Sequence, residues 1–262
     1  MGCMNKAASS DSIHSDNITF ESLGLKSRYI TALPPHILHP TSIQALAIPS
    51  ILTSWTSPND DTITKDGCPS NISISTDIIL KAETGSCKTP AMLLPLLQLL
   101  DTLVYDPRMS RGEVGTQIMY IVPTRELAIQ TGNVLEQILS KLTKPHWITS
   151  TVLTGHDSNH KDGSKERKRM TNGGSRKAEK ARLRKGVCMV IGTPGRLLDH
   201  LCLTHTWSNH LHVTCKWIVV DEADRLGDMG FEALVKEIVH RTFFTGTSNI
   251  GSGEREGRRE GQ

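Results

Sequence analysis

Four segments of this chain repeat one pattern, and the pattern leaves few folds open. In DIILKAETGSCKT, QIMYIVPTRELAIQ, VCMVIGTPGRLLDHL and KWIVVDEADRL, a short apolar run rich in β-branched residues meets a small-residue or charged turn and then helical periodicity. A fifth run, HWITSTVLTG, reads as a strand closed by a glycine turn. Apolar strands alternating with helices predict βαβ units, hence an α/β fold with a parallel sheet covered by helices on both faces. Ligands of such sheets bind outside the carboxyl ends of the strands. All four turns fall at that edge, so their residues are expected to converge on one face.

Soft segments separate these elements. Residues 1–18 are loose and polar, and 246–262 form a low-complexity tail; the folded region is expected over 19–245. Residues 53–76 and 156–176 read as surface insertions without a sustained period. Hydrophobic content is 37%, low for a compact globule and consistent with a core diluted by such segments. The charge is uneven. Lys161 to Lys185 hold eleven Lys/Arg against three Asp/Glu, a local +8 inside a total of +3, which leaves −5 for the rest. That asymmetry points to a polyanion such as nucleic acid, or to a solvated insertion. The six cysteines show no C-x-x-C spacing, which argues against a zinc site and a disulfide framework and favours a reducing compartment. The sequons at Asn17 and Asn71 are read as chance. The apolar run AMLLPLLQLL is far short of the roughly 20 residues of a membrane span, so no membrane partner is expected.

The turn AETGSCKTP, Ala82 to Pro90, resembles the phosphate-binding pattern G-x-x-x-x-G-K-[ST], with alanine first and Cys87 where the second glycine belongs. Backbone N–H groups of such a loop and of the following helix point at phosphate oxygens. Lys88 would reach the β- and γ-phosphates, and the Thr89 hydroxyl would face Mg²⁺. An ordinary strand–helix turn containing Lys-Thr is the bland alternative. Cys87 matters because a non-glycine residue at positive φ costs about 1–3 kcal/mol. Downstream, IVVDEAD delivers Asp221 and Glu222 at the end of an apolar strand. Asp221 suits Mg²⁺ held partly through water, and Glu222 suits orienting an attacking water. A charged helix start is the simpler alternative there.

Taken together and in this order, the motifs resemble the first RecA-like domain of a DEAD-box RNA helicase, from about Phe20 to Glu237. The resemblance implies a P-loop RecA-like sheet, ATP and Mg²⁺ as cofactors and RNA as partner. HPTSIQALAIP resembles the Q motif, with Gln44 reading the adenine edge and Phe20 packing on adenine. Ala82, Glu83, Thr84, Gly85, Ser86, Cys87, Lys88 and Thr89 would cradle the nucleotide. Lys88, Asp221 and Glu222 would carry catalysis, and Thr89 and Asp221 would hold the metal. PTRELAIQ resembles motif Ia, placing Thr124, Arg125 and Glu126 towards RNA. Gly173 and Gly174 resemble the glycine doublet, with Gly155 competing for that role. TPGRLLDHL resembles motif Ib, putting Thr193, Gly195 and Arg196 at the RNA backbone; its alternative is a well-capped surface helix. Asp224 would link the nucleotide site to the rest of the machine. Lys165 to Arg169, KERKR, is open between nuclear localisation, extra RNA affinity and a solvated loop.

GGSRKAEKARLRKG, TPGRLLDHL and DEADRLGDMGFE together resemble the nucleolar branch acting in large-ribosomal-subunit assembly. That implies nucleus and nucleolus as location and pre-ribosomal RNA as target. The family's next strand, ending Ser-Ala-Thr, and its second RecA-like domain are not in this sequence. The resemblance therefore implies an N-terminal fragment, from a clipped or truncated gene, with a gap between the phosphate-loop strand and the DEAD strand. It also implies that helicase activity needs a second RecA-like domain and that protein partners are possible. The function expected is an ATP-dependent RNA helicase. A non-catalytic RNA-binding or interaction fragment is the alternative, and a different P-loop ATPase a third.

Overall fold

The computed structural model describes residues 18–33, 37–54, 77–83, 85–103, 114–142, 148–154 and 176–244. Thr84 and the glycines at 155, 173 and 174 lie outside them, as do KERKR and most of both insertions. The chain divides into two compact units, 1–99 and 100–262.

The first unit holds α1 (Ser27–Thr31), α2 (Ser42–Thr53) and the start of α3 (Lys88–Leu103). Thr41 caps α2 with a capping box: its hydroxyl accepts from Gln44 N, and the Gln44 side chain accepts from Thr41 N. The sequence T-S-I-Q encodes this, because the S/T-x-x-E/Q spacing satisfies two orphan helix donors at once. The buried Gln98 side chain ties the N-terminal turn to α3, accepting from Lys26 N at 2.8 Å and donating to Gly24 O at 2.8 Å. Tyr29, fully buried, donates its hydroxyl to Leu97 O.

The segment expected to be the phosphate-loop strand forms no strand. Residues 77–80 have no ladder partner among the described residues, and Ile79 is 93% exposed. Its apolar sequence suits a strand buried on both faces, but a strand exists only where a neighbour pairs with it.

The second unit is a four-stranded parallel sheet in the order β2-β3-β1-β4, with β1 Ile118–Ile121, β2 Ser150–Leu153, β3 Met189–Gly192 and β4 Trp217–Val220. Every residue of β1 and β3 is buried, as two-sided cover demands. β4 has one ladder neighbour among the described residues, and its side chains are only partly covered. The helices are α4 (Arg125–Lys141), α5 (Arg176–Arg184), α6 (Pro194–Leu203), α7 (His205–Ser208), α8 (Leu211–Thr214), α9 (Ala223–Asp228) and α10 (Glu232–Phe243). A core of Met119, Ile121, Leu153, Val190, Leu197, Trp207 and Ile238 joins sheet to helices. Each such side chain contributes about 1.5–3 kcal/mol. α4 lies close on β2: a Cβ on Gly132 would stand 2.5 Å from Val152 Cγ2, so only glycine fits there. Before β1 the buried polar atoms pair, Trp207 Nε1 donating to Thr116 Oγ1 and Thr116 Oγ1 to Val187 O, both at 2.8 Å.

Candidate nucleotide and nucleic-acid site

In the first unit the α2 cap and the phosphate loop are bonded together. Gln44 Nε2 donates to Cys87 O at 3.4 Å, and Thr41 Oγ1 donates to Ser86 O at 3.3 Å. Gln44 is fully buried, and its side-chain amide is held at two points, accepting from the cap and donating to the loop. Phe20 is also buried, at 3% exposure. Within the loop, Ser86 Oγ donates to Glu83 O at 2.7 Å, and Lys88 Nζ donates to Ala82 O and Glu83 O at 2.8 and 2.7 Å. The Lys88 ammonium is thus folded onto the carbonyls of its own loop. Thr89 and Pro90 fall in the first turn of α3, where the missing proline N–H removes no helix bond.

Two loop residues sit in the left-handed region, Gly85 at φ 82° and Cys87 at φ 60°. For Gly85 this is free of strain, and no atom lies within 4 Å of where a Cβ would point. Cys87 carries its Cβ into the same region. Its exposed thiol turns back towards Gly85 O at 3.9 Å.

In the second unit the turns after β1, β3 and β4 share one sheet edge. The register pairs Ile121 with Gly192 and with Val220, so Thr124, Thr193 and Asp221 follow from adjacent strand ends. Thr124 caps α4 by accepting from Leu127 N, with Glu126 exposed in the first turn, where an acid suits the helix dipole. Thr193 precedes Pro194, the first residue of α6, and Gly195 is exposed with nothing near its missing Cβ.

Asp221 is 6% exposed and held on both oxygens: Tyr120 Oη donates to Oδ2 at 2.9 Å, and Glu222 N donates to Oδ1 at 3.0 Å. Glu222 is left-handed at φ 50°, which breaks the chain between β4 and α9 and leaves its carboxylate on Arg225 at 3.2 Å. Tyr120 was not legible as a site residue, since 101 positions separate it from Asp221.

Arg196 differs in setting from a surface phosphate ligand. Its side chain is 11% exposed, and Nε and Nη2 both donate to Glu179 Oε2, which is fully buried on α5. His200 Nε2 meets the same oxygen at 3.0 Å, and Asp199 lies 3.5 Å from Arg196 Nη1. Glu179 lay hidden in a basic run; its signal is the i,i+4 spacing to the buried Leu183. His205, His210 and His212 are exposed. Among the described residues no group of three or more His, Cys, Asp or Glu could hold a metal. Mg²⁺ does not require one, since it takes one or two carboxylates, waters and substrate phosphates. The Thr89 hydroxyl of the first unit and the Asp221 carboxylate of the second are each hard oxygen donors of that kind, and no atom lies within 4 Å of where a Gly85 Cβ would point, which suits a phosphate.

Residues 41–250 match the family model described as DEAD/DEAH box helicase. The chain belongs to the DEAD/DEAH box helicase family. It is 36% identical over 234 residues to the ATP-dependent RNA helicase DBP7 of Cryptococcus neoformans, covering 86% of this chain and 23% of that protein. It is 43% identical over 164 residues to the probable ATP-dependent RNA helicase CG8611 of Drosophila melanogaster, covering 62% of this chain and 14% of that protein. The chain thus spans about a quarter or less of these relatives. Among solved structures, the yeast DEAD-box splicing factor Prp28 superposes with a TM-score of 0.60 at 22% identity, over 87% of this chain and 43% of that one, a likeness of fold.

Proposed function

We propose that this chain carries the nucleotide-binding and one RNA-binding portion of an ATP-dependent RNA helicase, whose duplex remodelling requires a second RecA-like domain. The observation that carries the reading is the bonding of Gln44 to both the Thr41 cap and the Cys87 carbonyl. It couples the expected adenine reader to the expected phosphate loop, which an ordinary strand–helix turn has no reason to do.

In this reading Gln44 presents its amide to the adenine edge, and the Phe20 ring supports the base. Lys88 exchanges the Ala82 and Glu83 carbonyls for phosphate oxygens. Thr89 and Asp221 would be the residues to hold Mg²⁺, which would supply neutralisation of phosphate charge. Tyr120 keeps Asp221 oriented by donating to it, and Glu222 accepts a proton from the attacking water. Thr124 and Arg125, with Thr193 and Gly195 beside Arg196, line the strand-end edge where RNA phosphates bind. Glu126 belongs to the same RNA-facing turn, and Gly173 and Gly174, outside the described residues, are read as the family's glycine doublet. Pre-ribosomal RNA, protein partners and a nucleolar location follow from the basic linker and the flank of the DEAD motif.

RNA-stimulated ATP hydrolysis in the presence of Mg²⁺, abolished by Lys88→Ala, is the expected result. A second reading, a non-catalytic RNA-binding fragment, is favoured by Cys87 at positive φ and by Lys88 turned onto its own loop. Salt-dependent RNA binding indifferent to ATP would select it.

A further inference from the structure

A cleft of about 240 Å³ runs between α5 and α6, lined by Arg176, Lys177, Lys180, Asp199, His200 and Leu203, with Arg196 and Thr204 completing it. Four of these side chains are cations, and their partners differ. Arg196 is satisfied by Glu179 and Asp199, and Arg176 donates to Asp199 at 3.0 Å. Lys177 and Lys180 have no ion-pair partner among the described residues, although two carboxylates stand on the same pair of helices. They sit three positions apart on α5, which puts their Cβ atoms about 5–6 Å apart on one helix face.

The walls are fixed rather than adaptable. Glu179, buried completely, bonds to Arg196 and His200 of α6 and so locks α5 to α6. Arg182 Nε, one turn further along α5, donates to Thr151 Oγ1 of β2 at 3.1 Å. At the other end Leu203, 52% exposed, supplies an apolar surface. Two unpaired ammonium groups beside an apolar wall suit a ligand with a compact anion joined to an apolar body. A phosphodiester with its ribose and base has that character, and lysine binds phosphate as a point charge.

Resting on the RNA reading above, we infer that the α5–α6 cleft binds the phosphodiester backbone of single-stranded RNA through Lys177 and Lys180. It extends the RNA track from the turn before α6 along the side of that helix. It also gives part of the basic stretch from Lys161 to Lys185 a defined role. Such contacts hold a strand without reading its bases.

The test uses the full 262-residue chain and a labelled oligouridine, titrated at several salt concentrations, with wild type, Lys177→Ala/Lys180→Ala and Arg184→Ala/Lys185→Ala. Both pairs remove two charges, the first from α5 and the second from its last residue and the one after it, but only the first pair lines the cleft. Loss of two single-strand phosphate contacts lowers the slope of log K against log salt by about 1.4, or roughly tenfold in affinity near 0.15 M salt. That change in the first variant, with much less in the second, is the expected result. Equal loss in both variants means a diffuse field and overturns the cleft. Wild-type binding left unchanged by Lys177→Ala/Lys180→Ala overturns the cleft while the RNA reading stands. No RNA binding by wild type overturns both. A poly-glutamate probe that needs these lysines, while RNA does not, reassigns the cleft to an acidic protein.

Discussion

Replacing Cys87 with glycine should tighten nucleotide binding, and the size of the effect follows from one backbone angle. At φ 60° the cysteine Cβ crowds its own backbone, which costs a non-glycine residue about 1–2 kcal/mol. A free loop that relaxes out of this state must return to it when phosphates bind, so the apparent affinity falls with the population of the competent form. Glycine visits the region at no such cost. The expected gain is therefore about 5- to 30-fold in affinity for Mg·ATP. Stability gains less, because glycine also widens the unfolded ensemble by about 0.4–1 kcal/mol; the net change should lie between zero and about 1.5 kcal/mol. Titration with a fluorescent ATP analogue measures the first quantity and urea unfolding the second. Cys87→Ala is the decisive control, since it removes the sulfur but keeps the Cβ. If alanine tightens binding as much as glycine, the obstacle is sulfur bulk and not backbone strain. If neither variant changes affinity, the strain argument is wrong.

Other expectations follow from buried contacts. Tyr120→Phe removes a hydroxyl that donates to the Asp221 carboxylate, and should cost about 1.5–3 kcal/mol in urea unfolding. Glu179→Ala leaves Arg196 and His200 facing a lost carboxylate and should cost about 3–5 kcal/mol, whereas Glu232→Ala, whose ion pair with Lys236 is exposed, should leave the urea midpoint close to wild type. Burial pushes the Cys215 thiol up to about 12, against backbone hydrogen bonds and Lys216 that lower it. Native iodoacetamide labelling at pH 8 should therefore spare Cys215 while the exposed Cys87 and Cys202 react. Because the folded value exceeds the unfolded one, the Cys215 contribution is intact below about pH 9 and declines as pH rises towards 12, which unfolding across that window would reveal.

Periodicity made β1, β3 and β4 legible, because each is a run of apolar residues whose ends are marked by a turn. The same signal in DIILK failed. Its apolar residues are as suitable as those of β1, yet residues 77–80 have no ladder partner among the described residues, and Ile79 is exposed. The difference is not local. Strand preference expresses packing against neighbours, and one segment does not record whether its neighbour is present. The capping box at Thr41 was written in the sequence, but its further bonds to Ser86 and Cys87 join positions more than forty residues apart. Positive φ at Cys87 was legible for the opposite reason: a pattern that wants glycine there announces the angle, whatever residue occupies it.

Arg196 sharpens this distinction between recognising a motif and knowing what a side chain does. Its place in TPGR suggests a phosphate contact, and its turn does sit at the strand-end edge. Yet Glu179 and Asp199 already engage the guanidinium, and little of it reaches solvent. Detaching it would take from a buried carboxylate the guanidinium that bonds it through two nitrogens, a cost of several kcal/mol that one surface phosphate contact does not offset. The geometry therefore gives Arg196 the role of fixing α6 against α5, which under the proposed RNA reading would hold the exposed backbone around Gly195 and the lysines of α5 in place. Arg196→Lys tests that role against direct contact. Lysine keeps the charge but loses the forked bond to Glu179. If Arg196 positions the helices, this variant loses stability and RNA affinity together, and adding Glu179→Gln to it does little further harm. If Arg196 binds phosphate directly, affinity falls while the unfolding midpoint stays close to wild type.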